Sequence, residues 1–379
     1  MRCGYFDRHE CRSCTFMNVP YPRQVHDGDD LVTRTLAEHV RAEQWLPPAT
    51  GPESGFRNKA KLMVGGRRGA PTLGILDDHG NGVDLTGCGL YQPALADALP
   101  LLREVVAEAG LTPYDVPSRN GELKNLIVTH SPDGEFMIRF VLRSTGQLGK
   151  VERAIPLLHK HVPGTRVVSV NLLPDHRAVM EGAQEIVLTE HDTLPMRMGA
   201  VRLHLRPASF FQTNTFVAAQ LYAQAADWIG DLTPAVLLDL FCGVGGFGLT
   251  AAGQGVREVF GAELSPDAII SARRTAAELE SAGATSRFTF VAGDAFEAVA
   301  AAPAPDVVVV NPPRRGIGPD VCKWLERSGT RHLVYSSCNP RSLATDLGLL
   351  PSFGVDRARV FHMFPQSSHH EVLVQLSRT

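Results

Sequence analysis

The stretch Val236-Leu-Leu-Asp-Leu-Phe-Cys-Gly-Val-Gly-Gly-Phe-Gly248 runs from a strand-like apolar segment straight into a loop holding four glycines. Glycine has no Cβ and accepts positive φ, so the loop can lie against a bound cofactor; a purely structural turn is the plainer reading. The spacing Gly243-x-Gly245-x-x-Gly248 also matches the fingerprint of dinucleotide sites, where a pyrophosphate rests on a helix N-terminus. Glu263 ends the next strand-like run, Val256–Ala262, where a carboxylate can accept hydrogen bonds from both ribose hydroxyls. Two features oppose a dinucleotide. Asp239 sets a carboxylate beside the loop, unfavourable near pyrophosphate but suited to a cationic amino-acid end. Asn311-Pro312-Pro313 closes a later strand, and its prolines fix a rigid loop from which a carbonyl and an amide face a planar group. S-adenosylmethionine fits both. Asp294, ending another strand-like run, suits either the adenine amine or a helix cap.

Working outward, short β-branched runs at Val236–Leu240, Val256–Ala262, Phe288–Val291, Asp306–Val310, His332–Ser336 and Glu371–Leu376 are separated by helical patterns at Phe216–Ile229, Ser265–Ala282 and Asp320–Arg327. This alternation predicts a largely parallel sheet covered on both faces, with its ligand at the carboxyl ends of the strands. Residues 205–379 therefore read as a Rossmann-like α/β domain. Residues 91–204 read as an α+β domain, with helices at Leu95–Ala109 and Leu148–His161 and strands at Leu123–Thr129, Phe136–Leu142, Val167–Leu172 and Glu185–Leu188. Residues 1–90 are rich in Gly and Pro, with one helix expected over Val32–Leu46. Between Ser54 and Leu76 stand Arg57, Lys59, Lys61, Arg67 and Arg68 with no acidic residue, either a solvated face or a basic hairpin that meets RNA.

The 379-residue chain has 44% hydrophobic and 20% charged residues, which excludes a disordered class, and its net charge of -3 excludes a global basic field. A nucleic-acid partner needs a local basic surface. No run reaches the roughly 20 apolar residues of a membrane span, and the start lacks a signal core, so a cytoplasmic protein is expected, with no membrane and no obligate protein partner. Seven cysteines in such a chain do not make a disulfide framework. Cys3, Cys11 and Cys14 crowd the N-terminus, Cys88 stands alone, and Cys242, Cys322 and Cys338 lie in the C-terminal half.

The sequence resembles the RNA uracil-C5 methyltransferases, most closely the iron–sulfur branch acting on a uridine of bacterial 23S ribosomal RNA. The resemblance covers nearly all of the chain. It rests on Cys3-x7-Cys11-Arg-Ser-Cys14, Gly55-Phe-Arg-Asn-Lys-Ala-Lys61, Ser209-Phe-Phe-Gln-Thr-Asn214, Asp239-Leu-Phe-Cys-Gly243, Asn311-Pro-Pro-Arg-Arg-Gly316, Tyr335-Ser-Ser-Cys-Asn339 and His370-Glu371-Val372. It implies a class I S-adenosylmethionine methyltransferase domain behind an N-terminal iron–sulfur segment and an α+β RNA-binding middle domain. Gln212, Phe241, Glu263 and Asn311 would hold S-adenosylmethionine, Cys338 would be the nucleophile and Glu371 the base. Relatives acting elsewhere on the same RNA carry an added N-terminal barrel, and tRNA-modifying relatives generally lack the N-terminal cysteines. The sequence begins at its cysteines, so the barrel-less ribosomal subgroup, whose target is U747, is the expectation. Another ribosomal uridine, the tRNA T-loop uridine, or an RNA-binding protein without catalysis are the alternatives.

Uracil C5 is too weak a nucleophile to take a methyl group unaided. A thiolate added at C6 makes C5 carbanion-like, and a base must later remove the C5 proton so that the thiolate can leave. An isolated strand cysteine is more often a small buried hydrophobe, but Cys338 sits between Ser337 and Asn339-Pro340 at the ligand end of a strand. Glu371 by itself reads as surface charge; its role rests on the resemblance. His370 could position it or contact RNA. Gln212, with Phe210 and Phe211 as a wall, could order cofactor and substrate, and Arg314 and Arg315 either meet phosphates or are simply solvated. Cys3, Cys11, Cys14 and Cys88 suit zinc or a [4Fe-4S] cluster equally by chemistry, and the resemblance selects the cluster. Its expected task is to clip the N-terminus to the segment near Arg57–Lys61, with no redox step.

Overall fold

The computed structural model describes residues 1–176, 179–294 and 304–379. The chain forms two compact units, one of Met1–Met17, Pro52–Met196 and Arg206–Ala208, the other of Asn18–Gly51, Arg197–Leu205 and Ser209–Thr379.

The second unit is built on a sheet whose described strands number seven, in the order Arg287–Ala292, Glu258–Glu263, Val236–Leu240, Val307–Val310, His332–Ser337, Glu371–Arg378, Phe353–Phe361. The first five are parallel. Leu237, Leu238, Leu240 and Val307 through Val310 are all buried, the continuous apolar run of a strand covered on both faces. Side-chain caps mark where strands hand over to helices: Ser265 accepts from the Ala268 N–H before Pro266–Ser281, and Asn339 from the Arg341 N–H before Pro340–Gly348. The sequence order reverses at Val236–Leu240, which lies between Glu258–Glu263 and Val307–Val310, and that reversal opens a crevice at the carboxyl ends. The last two strands depart from the parallel expectation. Glu371–Arg378 runs antiparallel beside His332–Ser337, with Ser337 opposite Val372. Its N-terminal end therefore lies at the carboxyl end of its neighbour, which carries Glu371 to the crevice.

Asn18–Gly51 also belongs to this unit. Its helix is Tyr21–Thr35 and overlaps the expected Val32–Leu46 only over Val32–Thr35; beyond that, Ala42–Gln44 forms a short 3-10 turn. Pro22 starts the helix, and the buried face is Gln24, Gly28 and Val32, too polar for an apolar repeat to reveal. Val32, Leu36 and Val40 join the core of the α/β sheet.

The first unit carries seven described strands in the order Gly82–Asp84, Ala70–Leu76, Lys59–Arg67, Leu123–His130, Phe136–Leu142, Thr165–Leu172, Gln184–Val187. The division at residue 90 expected from sequence is thus corrected: Lys59–Arg67 pairs with Leu123–His130, and one core joins Leu62 and Leu73 to Leu99, Phe140 and Val151. Composition changes at residue 90, but backbone pairing crosses it. Among the described residues no helix is long and apolar enough to cross a membrane.

Candidate active site

A cavity of about 530 Å³ opens at the crevice, lined by Phe210, Gln212, Phe241, Gly243, Glu263, Leu264, Asn311, Pro312, Pro313, Arg314, Cys338, Phe364 and Glu371 among others. That volume suits a ligand of cofactor size. The common location has a backbone cause: Phe241, Glu263, Asn311 and Cys338 each end or directly follow a parallel strand, and Glu371 begins the antiparallel one.

At one end the glycine loop is held from both sides. The Gly243 N–H donates to Glu263 Oε2 at 3.2 Å, and the Ser265 N–H to Oε1 at 3.0 Å. A carboxylate has about four lone-pair sites, so Glu263 keeps acceptor capacity for a ligand. Phe241 turns the chain with φ +58, a left-handed conformation uncommon for an aromatic residue, and lines the cavity. Asp239 differs from the expectation that it faces a cationic ligand. It is fully buried and is not among the residues lining the cavity, and its Oδ2 accepts from the Gly248 N–H at 2.9 Å. Burial pushes its carboxyl up to about 7, against that bond. Asp239 braces the loop from beneath, and a Cβ on Gly248 would stand 2.8 Å from Val259 Cγ1 and 3.1 Å from Asp239 Oδ2.

At the other end, Glu371 is 3% exposed. Its Oε1 accepts from Ser336 Oγ at 2.6 Å and from Asn311 Nδ2 at 3.4 Å. Burial nonetheless pushes its carboxyl up to about 7, those two bonds opposing the rise. Cys338 is half-buried; burial and the neighbouring Glu371 push its thiol up, while Arg314 opposes them. Arg314 is in turn held by its Nη2 contact with His369 Nδ1 at 3.0 Å and by Asn339 Nδ2 donating to its carbonyl at 2.9 Å. A thiol, a carboxyl able to exchange a proton near neutrality and a cation thus share one wall.

Gln212 is buried at the cavity. Its segment is anchored by Asn214, which caps Thr215–Asp231 and donates from Nδ2 to the Met363 carbonyl at 3.0 Å. The expected aromatic wall is half correct: Phe210 is 74% exposed and lines the cavity, whereas Phe211 is buried away from it. Asp294 is not among the described lining residues, and His370 is buried behind the wall. Sequence reasoning missed Ser336, Leu264 and Phe364. Ser336 was findable as the residue two before Cys338 on one strand, whose neighbour strand brings in Glu371. Cys242 and Cys322 are buried thiols.

In the first unit, Cys3, Cys11, Cys14 and Cys88 are free and half-buried. Burial comes first in pushing the Cys14 thiol up to about 11, and Cys88, Cys11 and Cys3 add to it while Arg57 opposes. Four thiols within electrostatic reach resist joint ionisation unless a cationic group takes up the charge, so the donor set fits an all-thiolate centre. Among the described residues no group of three or more His, Cys, Asp or Glu is arranged around a single metal ion. A cubane takes one thiolate at each of four iron corners, a wider donor spacing than one ion requires. The basic run is not one solvated face: Lys59 is buried and lowered to about 8 by desolvation, and Lys61 Nζ meets Glu181 Oε1 at 3.0 Å.

A sequence profile described as tRNA (Uracil-5-)-methyltransferase matches residues 182–379. The 23S rRNA (uracil(747)-C(5))-methyltransferase RlmC of Yersinia enterocolitica is 44% identical over 375 residues, covering 98% of each chain. Its counterpart in Shigella boydii is 44% identical over 378 residues, covering 99% of each. The Pyrococcus abyssi tRNA (uracil-54, C5)-methyltransferase, solved in complex with S-adenosyl-L-homocysteine, superposes with a TM-score of 0.76 at 24% identity, over 96% of this chain and 85% of that one; the likeness is of fold.

Proposed function

The chain belongs to the RNA uracil-C5 methyltransferase family, and from that premise we propose that it methylates C5 of a uridine in 23S ribosomal RNA, U747 by its likeness to relatives of that specificity. The carrying observation is that Cys338 and a buried Glu371 poised at about 7 line the same cavity as Phe241 and Glu263. S-adenosylmethionine supplies the sulfonium methyl; Glu263 receives its ribose hydroxyls, and Gln212, Phe241 and Asn311 border its remainder.

Cys338 adds as thiolate to C6 of the flipped uracil, favoured by the Arg314 charge, and the electron pair moves to C5 and O4. C5 would take the methyl group, the S–CH3 bond breaking with its electron pair left on the sulfur of the departing thioether. Glu371 Oε2 or Oε1 then accepts the C5 proton, the C5–C6 double bond re-forms, and the C6–S bond breaks to return the thiolate. A carboxyl near 7 suits this task, because about half of it is ionised at neutral pH, ready to accept the proton, and it can release that proton again at ambient pH. Ser336 and Asn311 hold its orientation.

Cys3, Cys11, Cys14 and Cys88 hold a [4Fe-4S] cluster in this reading, with a structural task and no part in proton or methyl movement. The unit of Met1–Met17, Pro52–Met196 and Arg206–Ala208 grips the RNA loop, and residues 205–379 carry the chemistry in the cytoplasm, where ribosomal RNA is found. The test is the RNA adduct: Glu371→Gln should trap a methylated RNA–protein complex that survives denaturation, and Cys338→Ala should form none. A complex that persists in Cys338→Ala contradicts the nucleophile.

A further inference from the structure

Glu371 is held by hydrogen bonds from Ser336 and Asn311, whereas the residue just before it packs against the Tyr21–Thr35 helix. His370 is 5% exposed, and its ring meets the ring of His362 edge-on at 5.2 Å between centroids. His362, also 5% exposed, brings Nε2 to Asp29 Oδ1 at 2.9 Å. Both rings press on the Tyr21–Thr35 helix where it has no side chain: a Cβ on Gly28 would stand 2.5 Å from His370 Cε1 and 3.0 Å from His362 Cε1. One turn earlier, Gln24 Nε2 donates to Gln366 Oε1 at 3.0 Å and Gln24 Oε1 accepts from the Gln366 N–H at 2.9 Å. Gln366 has φ +67, so this reciprocal amide pair holds a residue that is uncommon in that conformation.

Residues 24 and 28 lie on one helix face with 29 beside them, and the three contact the loop 362–370 at its middle, end and start. Adjacent side chains of the chain part to opposite sides here, Glu371 toward Ser336 and His370 toward Gly28. We propose that His370, seated in the notch left by Gly28 and backed by the His362–Asp29 pair, is a positioning residue for Glu371 and so governs release of the covalent intermediate. The inference rests on Glu371 being the base. His370 is not among the residues lining the cavity; it fixes the backbone from which the carboxylate departs. His370 Nδ1 is buried with no hydrogen-bond partner among the described residues, a cost that an apolar side chain would avoid and that marks the ring as placed for more than filling.

The readout is the partition between trapped and released RNA. A displaced base slows proton removal without slowing thiolate addition or methyl transfer, so methylated adduct accumulates. A misplacement of about 1 Å is enough for a rate loss of up to about a hundredfold. Full-length wild type, Gly28→Ala, His370→Ala, the double variant and Glu371→Gln are incubated with labelled S-adenosylmethionine and unmodified 23S RNA. Adduct and free methylated RNA are then separated under denaturing conditions. Gly28→Ala and His370→Ala should each raise the adduct-to-product ratio roughly tenfold or more with adduct formation unchanged. The double variant should match His370→Ala, because the added methyl then has room. Equal loss of adduct formation and release, or an unchanged ratio, in variants that melt cooperatively overturns the positioning role while Glu371→Gln still traps adduct. If Glu371→Gln traps none, the base assignment falls and this inference with it.

Discussion

Replacing Glu371 by Gln should make the protein more stable, and by an amount that depends on pH. The carboxyl, ordinarily near 4.5, stands at about 7 in the folded chain because burial disfavours its charged form. Below pH 4.5 it is protonated in both folded and unfolded states and contributes no pH dependence. Between 4.5 and about 7 the folded chain keeps a proton that the unfolded chain has lost, so stability falls as pH rises through this window and is flat above it. At ~1.4 kcal/mol for each tenfold change in proton affinity, the interval corresponds to about 3 kcal/mol at pH 8. Gln does not titrate and keeps an oxygen for the Ser336 hydroxyl, so the variant escapes that loss. Urea unfolding followed by tryptophan fluorescence is the assay, because Trp45, Trp228 and Trp324 all belong to the unit that holds Glu371. The stability gap between Glu371→Gln and wild type should widen by roughly 2–3 kcal/mol from pH 5 to pH 8. A gap that stays constant across that range refutes the claim that burial raises the Glu371 carboxyl.

Ser336→Ala removes a hydrogen bond that holds the Glu371 carboxyl down, so the pH at which product release reaches half its maximum should move up by about one unit; release rates from preformed adduct across pH 6–9 check it, and an unmoved midpoint contradicts it. Glu263→Ala removes the proposed ribose acceptor and should weaken S-adenosylmethionine binding roughly tenfold to a hundredfold by calorimetry, on the scale of a lost charged hydrogen bond. Cys14→Ser should lower bound iron and acid-labile sulfide, while cofactor affinity, which depends on the other unit's core, stays within about twofold.

The strand–loop stretch at 236–248 and the Asn311-Pro312-Pro313 turn were legible because both are local: apolar runs, glycines and prolines act through their own backbone. The strand Phe353–Phe361 was not, since Asp356, Arg357 and Arg359 break its alternation and its place is set by pairing with Glu371–Arg378. The same pairing explains why Glu371 looked like surface charge. Its burial comes from an antiparallel neighbour and from Ser336, which no spacing along the chain announces. Asp239 was misread for the converse reason: proximity to the loop in sequence suggested a ligand contact, but alternation along the strand turned its side chain under the loop. Helix Tyr21–Thr35 escaped because its buried face, Gln24, Gly28 and Val32, is shaped to fit the loop 362–370 rather than to be apolar.

The central claim is tested most directly by mapping the methyl group. Anaerobically purified protein is incubated with labelled S-adenosylmethionine and 23S ribosomal RNA lacking 5-methyluridine, and the RNA is read nucleotide by nucleotide. The account predicts one labelled 5-methyluridine, at U747, lost in Cys338→Ala. Label at a different nucleotide, or none from protein that binds the cofactor, contradicts it.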